Sequence, residues 1–323
     1  MARNIIFSYA FNKEGKAQKI DNNNVSEELK NEGLAWVHLD CNDENTKLWM
    51  QKEVSYLDHL ILDALLEDEI RPRVIEFNDG MLVILRGVNL NKNSEPEDMV
   101  SIRMWIDAKR IITVQKRDLK ALFDVRDNIE NGKIIKTASE FLYNLIYQII
   151  LTTEPFLYAL NDRIDELEQK VVITHDIKFR EELLSIRSQS GTFKRLLIPQ
   201  KDAILKLKTS NSPLVNSWAK RHFQENYDHI ARLIEEVDEA KERSQILHDE
   251  LGNALTEKVN KNMYKLSLIT VIFMPLTFVT GLFGMNVGGI VGSENPSAFS
   301  IISMFAVLLI LLQVRFFKKK NWF

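Results

Sequence analysis

Two stretches without one charged side chain constrain this chain more than any other feature: Leu266 to Gly292, and Asn295 to Val314. A helix rises about 1.5 Å per residue, so crossing about 30 Å of hydrocarbon takes roughly 20 apolar residues. The stretch LSLITVIFMPLTFVTGLFG, Leu266 to Gly284, meets that length. The second, starting at Phe299, reaches it when Phe316 and Phe317 extend it at the interface. Upstream of Leu266, charges recur every few positions. A large water-soluble part followed by a two-span membrane hairpin is the expectation. Its rival is a long hairpin buried inside a soluble protein.

Basic residues set the expected orientation. Arg315, Lys318, Lys319 and Lys320 follow the second span directly, whereas Val287 to Ala298 contains no Lys or Arg. The positive-inside rule then puts the C-terminus in the cytoplasm. Two spans return the chain to its starting side, so the N-terminal part is cytoplasmic too, and Lys258, Lys261 and Lys265 before the first span agree. The expected location is the inner (plasma) membrane, with the connecting loop outside.

Composition narrows the function classes. The 323 residues are 45% hydrophobic, ample for a core, and the net charge of -3 offers no basic footprint for nucleic acid. A single cysteine, Cys41, excludes an intrachain disulfide and a multi-cysteine metal site. The apolar run Ile5-Ile6-Phe7 is too short for a secretory signal core. No Walker loop, GxSxG elbow or HExxH run is present, so nothing points to an enzyme.

Residues 1–135 read as an α+β domain. Strand-like runs lie at Ala35–Leu39, Val74–Phe77, Met81–Leu85, Ile102–Ile106 and Arg110–Val114, with a helix over Leu57–Leu66. Asn78-Asp79-Gly80 is an expected hairpin turn, and Asp107-Ala108-Lys109 connects another pair. Residues 136–265 read as long helices: Thr137–Val172, Asp176–Leu207, and a third starting at Ser212-Pro213. No Pro occurs from Leu214 to Met274, so that third helix runs on into the first span. An unbroken helix of this kind suggests an oligomeric stalk. The remainder, 266–323, divides into a first span (266–284), an outer loop (285–298), a second span (299–317) and a basic tail (318–323).

Alternate steps of four and three along the third helix pick out Thr256, Asn260, Met263, Ser267, Thr270, Met274, Thr277 and Gly281. All eight are polar, small or methionine, and the spacing puts them on one face. Small and hydroxyl residues often mark ordinary helix packing. The same stripe, repeated in several copies around an axis, would instead line a pore with side-chain oxygens and thioethers. Such a lining suits a cation that keeps much of its hydration shell. Pro275 leaves the Val271 carbonyl without its helical partner, a defect best tolerated beside other helices or water.

The first span ends in Gly281-Leu282-Phe283-Gly284-Met285-Asn286, a Gly-Met-Asn tripeptide before the second of two C-terminal spans and a Lys-rich tail. In this the sequence resembles the CorA family of divalent-cation transporters. Ile272-Phe273-Met274-Pro275-Leu276-Thr277-Phe278 resembles the family's first span, and the likeness extends upstream through Arg71-Pro72-Arg73-Val74. The Gly-rich run Val287 to Gly292 is similar to the ZntB zinc-transporter branch. Magnesium-transporting relatives usually carry an aromatic and then an acidic residue after the Asn. Here Val287 and Gly288 stand there, and Glu294 is the only loop carboxylate. The ZntB pattern in turn often has Ile or Val in place of Met285 and Pro in place of Val291.

The resemblance implies a funnel-shaped homopentamer in the bilayer, with the first span around a central pore and no cofactor. Gly284, Met285 and Asn286 would form the outer mouth, Asn286 holding a hydrated cation. Asn260, Met263, Thr270, Met274, Thr277 and Gly281 would line the pore, and Asp249 would form an acidic ring or a plain solvated face at its cytoplasmic end. Zinc uptake, with or without proton coupling, is the leading expectation. A CorA-type channel for Mg2+ or Co2+ is the alternative, with Ni2+ and Cd2+ as further ions. A membrane-anchored scaffold is the rival from another class. His38-x-x-Cys41 and the pair His222 and His229 are the nearest zinc-ligand candidates, neither a complete set. Glu235-Glu236-Val237-Asp238-Glu239 is either a cation-concentrating patch or a solvated helix face.

Overall fold

The computed structural model describes residues 4–67, 71–174, 176–285, 287–290 and 295–320. They fall into two compact units, Met1–His248 and Asp249–Phe323.

The first unit is built on a seven-stranded mixed sheet of order β2-β1-β3-β7-β6-β5-β4. Its strands are β1 (Ile5–Phe11), β2 (Ala17–Lys19), β3 (Leu34–Asp40), β4 (Arg73–Glu76), β5 (Gly80–Gly87), β6 (Val100–Asp107) and β7 (Arg110–Gln115). Only β3 and β7 pair in parallel, with Trp36 opposite Ile111 and His38 opposite Thr113. The five runs expected as strands are β3 to β7. Two strands were not expected. In β1 nearly every residue is buried, so the period-two alternation that betrays a half-buried strand is missing.

Both expected turns form. Phe77 N–H donates to the Gly80 carbonyl at 2.9 Å. A Cβ on Gly80 would lie 2.3 Å from the Trp105 ring, so this turn needs glycine for the close approach. At the β6–β7 turn the Asp107 carboxylate accepts from Lys109 N–H (2.8 Å) and Arg110 N–H (2.9 Å). One face of the sheet packs Val37, Leu39, Leu82, Ile84 and Val114 against Val25, Met50, Ile61 and Leu65. Those last residues come from α1 (Val25–Glu28), α2 (Glu44–Glu53) and α3 (His59–Leu66). Asp43 and Asp58 cap α2 and α3 by accepting from Asn45 N–H and Leu60 N–H, both at 2.9 Å.

Four further helices begin in this unit: α4 (Lys120–Glu130), α5 (Ala138–Thr174), α6 (Arg180–Thr209) and α7 (Ser217–Phe283). The long helix starts at Ser217, not at Ser212-Pro213. Asn216 is its cap, its side-chain oxygen accepting from Ala219 N–H at 2.9 Å, while Ser212–Val215 closes a turn. His175, between α5 and α6, lies outside the described residues. Asp176 caps the segment before α6 by accepting from Lys178 N–H at 3.1 Å. The second unit holds the end of α7 and α8 (Ala298–Lys319).

Candidate cation pathway

The site has to be built from α7, because that helix carries the polar stripe. Within the second unit Asn260, Thr270, Thr277 and Gly281 are exposed, as are Met263, Met274 and Met285 at 58%, 69% and 50%. Thr270 and Thr277 donate their hydroxyl protons back to the Leu266 and Phe273 carbonyls at 2.9 and 3.0 Å. Each hydroxyl therefore costs little in an apolar surrounding, yet its oxygen keeps the capacity to accept. Thr256 repeats the arrangement, donating to Gly252 at 2.9 Å.

The covered face of α7 lies elsewhere. Leu268 and Leu276 are buried at 8% and 9%, and Ile272, Pro275 and Val279 are half-buried. At 100° per residue the centre of this face is about 150° from the centre of the polar stripe. On α8, Ile302, Ala306, Leu309, Gln313 and Phe317 form a similarly shielded stripe. The two helices thus use aliphatic faces for what the chain covers by itself. The stripe of Asn, Thr, Met and Gly is left exposed, together with Leu266, Ile269, Phe273 and Phe278 on the flanks of the helix. Gly281 sharpens this, since a Cβ there would meet nothing within 4 Å. Among the described residues nothing occupies the space a side chain there would take.

The outer end is described in part. Gly284 N–H donates to the Thr280 carbonyl at 2.9 Å and closes α7, and Gly289 takes the left-handed φ of 97° in the loop that follows. Asn286, the residue expected to hold a hydrated cation, lies outside the described residues, as do Val291, Gly292 and Glu294. Asp249 is exposed on the stripe's own face of α7. Lys318 and Lys319 form the exposed last turn of α8, where cations also complement the helix dipole.

The zinc-ligand candidates do not converge. His38 faces Phe7 at 4.8 Å and Phe123 of α4 at 6.2 Å, and its Nδ1 lies 2.9 Å from Thr113 Oγ1. Cys41 packs against the opposite face of the sheet, its Sγ donating to the Leu66 carbonyl at 3.6 Å. Three positions along a strand reverse the face, which is why this pair cannot chelate one ion. Burial pushes the His38 imidazole down to about 4, partly offset by Gln115, so it is neutral at physiological pH. His222 stacks on Trp218 at 3.8 Å, whereas His229 Nε2 contacts Glu154 of α5 at 3.1 Å. In the acidic run, Glu236 accepts from Asn161 of α5 at 2.8 Å and Asp238 pairs with Lys194 of α6 at 2.6 Å. These two carboxylates tie helices together, and Glu235 and Glu239 stay exposed.

Comparison with known proteins fixes the family. Residues 31–319 match the profile of the family described as CorA-like Mg2+ transporter protein. The chain belongs to this family. It is 32% identical over 323 residues to the divalent cation transporter CmaX of Pseudomonas aeruginosa, covering 99% of this chain and 97% of the relative. It is 28% identical over 317 residues to the zinc transport protein ZntB of Yersinia enterocolitica, covering 98% and 95%. Among solved structures, full-length CmaX superposes with a TM-score of 0.85 at 32% identity, covering 99% of this chain and 98% of that one. An α+β domain, long helices and two C-terminal apolar helices are therefore the architecture of the family as well as of this chain. The two apolar helices are long and apolar enough to cross a membrane, and the family is one of transporters.

Proposed function

We propose that this chain, a divalent cation transporter of the CorA type, carries zinc into the cytoplasm through a central pore lined by five copies of α7. The observation that carries the reading is the leftover stripe. Thr270, Met274, Thr277 and Gly281 are exposed on the face of the span opposite its covered face, and Gly281 has open space beside it. One chain has only two spans, so a polar face of this length needs partners or water, and copies around an axis supply both. Gly284, Met285 and Asn286 then form the outer mouth. Asn260 and Met263 continue the lining inward, and Asp249 forms a carboxylate ring at the cytoplasmic end. The termini lie in the cytoplasm and the membrane is the inner membrane, on the strength of the basic tail.

An inside-negative potential supplies about 2.3 kcal/mol per charge per 100 mV, hence about twice that for a divalent cation, which favours uptake. No carboxylate or imidazole lies between Leu266 and Gly284 to relay protons. Similarity to ZntB and the Gly-rich loop support zinc. The family's description supports magnesium as the second reading.

Liposomes holding the purified protein, with zinc and magnesium dyes inside and potential and pH gradient imposed separately, test the proposal. Zinc entry that Asn286→Ala abolishes is the expected result. Magnesium entry driven by potential alone moves the chain to the second reading. Entry of neither metal, with the protein intact and pentameric, contradicts transport and favours a scaffold.

A further inference from the structure

The face of α8 that the chain leaves uncovered has no part in the proposed pore. Met304, Val307, Leu308 and Leu311 lie on it, each more than half exposed. At 100° per residue its centre is about 180° from the shielded stripe of Ile302, Ala306, Leu309, Gln313 and Phe317. Arg315, Lys318 and Lys319 continue the same uncovered face to the end of the helix. A groove of about 570 Å³ joins the two parts, lined by Leu311, Val314, Arg315, Lys318 and Lys319. Met304 precedes Arg315 by eleven positions, about 16 Å of helix, close to half of a hydrocarbon core of about 30 Å.

These cations are neither neutralised nor placed for topology alone. The sequence from Asn295 to Phe323 contains no Asp or Glu. The side chains of Arg315, Lys318 and Lys319 make no ion pair or hydrogen bond among the described residues. An unpartnered cation alone marks nothing, and Lys258 and Lys265 of α7 have no partner either. What singles out the three on α8 is the groove that joins them to an apolar face. The positive-inside rule asks only that basic residues follow the span, at any angle round the helix. Here three of the four gather on the uncovered face, and only Lys320 falls on the shielded side.

We infer that this groove is a binding site for an anionic phospholipid. The Arg315 guanidinium takes the phosphate in bidentate geometry, and Lys318 and Lys319 add point charges beside it. The acyl chains lie along Leu311, Leu308 and Met304, so one ligand satisfies both the charged and the apolar part of the face. A soluble anion would leave that apolar part bare, and a zwitterionic lipid would bring a cation of its own toward the three. The inference rests on the proposed placement of α8 across the bilayer and on no choice of transported ion.

The test uses the full-length protein in nanodiscs of equal parts phosphatidylglycerol and phosphatidylcholine. After transfer to mild detergent, native mass spectrometry counts the phospholipid that stays bound. About one phosphatidylglycerol per chain is expected to remain, with about tenfold less phosphatidylcholine. Arg315→Gln combined with Lys318→Gln lowers the retained phosphatidylglycerol at least about fivefold, while Lys319 and Lys320 still flank the span. Lys258→Gln combined with Lys265→Gln removes the same charge from exposed positions of α7 and leaves retention within about twofold. Equal retention of the two lipids, no retained phospholipid because a second copy covers the face, or equal loss in the α7 pair would each overturn the assignment. Cation flux is read separately. A chain that transports but retains no lipid loses this inference and keeps the proposed function, and one that retains the lipid but carries no cation does the reverse.

Discussion

The two units treat their polar groups in opposite ways. In Met1–His248 one buried polar network closes within the chain: the Trp36 indole N–H donates to Thr113 Oγ1 at 2.9 Å, and that hydroxyl donates to the Val37 carbonyl at 3.2 Å. Aromatic rings close over this network, with Phe7 and Phe141 at 4.9 and 4.7 Å from Trp36. In Asp249–Phe323 the threonines bond only to their own helix, while Asn260, the methionines and Gly281 face outward. In the proposed pore, copies of α7 and lipid would complete the second unit, so that polar residues serve stability in one unit and meet an ion in the other.

Substitutions sharpen that contrast. The largest effect belongs to Trp36→Ala, which removes a fully buried ring and leaves Thr113 short of a donor. Urea unfolding of the detergent-solubilised protein should show a loss of about 3–5 kcal/mol, against less than about 0.5 for Met274→Ala on the stripe. Comparable losses at both positions would erase the contrast.

His38 comes next. Its folded value of about 4 lies below the ordinary 6.5, so the unfolded chain binds the extra proton first as pH falls. Stability is therefore full above about pH 6.5 and declines toward pH 4, by about 3 kcal/mol in all. A His38→Gln variant should lack this slope between those limits. The smallest effect is expected at Glu154. Burial opposes its ionisation, but hydrogen bonds from Tyr158 and His229 outweigh this and bring its value below the usual 4.5. Its contribution is present above the ordinary value and lost as pH falls through the depressed one. Both partners keep about a fifth of their surface, so Glu154→Gln should cost below about 1 kcal/mol at pH 7, read as a small shift in the urea midpoint.

How much of this was legible in the sequence follows the same division. Strands β3 to β7 could be read because turn residues such as Asn78-Asp79-Gly80 bound short β-rich runs. The first strand could not, because Ser8 and Tyr9 interrupt its apolar run and yet are buried. Helices α2 and α4 are short, and α2 is only weakly amphipathic, burying Thr46 and Met50 alone. The extent of α7 was visible from the absence of proline, but its start was not, since Asn216 caps through a side-chain bond that composition does not reveal. In the candidate pathway, spacing alone grouped the eight stripe residues. It could not tell packing from pore. The structure adds that Leu268, Ile272 and Leu276, on the other side of the helix, are the residues the chain covers by itself.

The central claim is that the polar face of α7, and not its aliphatic face, meets the moving ion. The direct measurement is cation flux into liposomes for Thr277→Phe and Leu276→Phe, side by side, at matched protein content and oligomeric state. These neighbours sit on the two faces, one exposed and one buried at 9%. The account predicts that Thr277→Phe stops entry of the transported metal, whereas Leu276→Phe leaves flux within a few-fold of the parent. Full transport through Thr277→Phe, with loss only in Leu276→Phe, would contradict it.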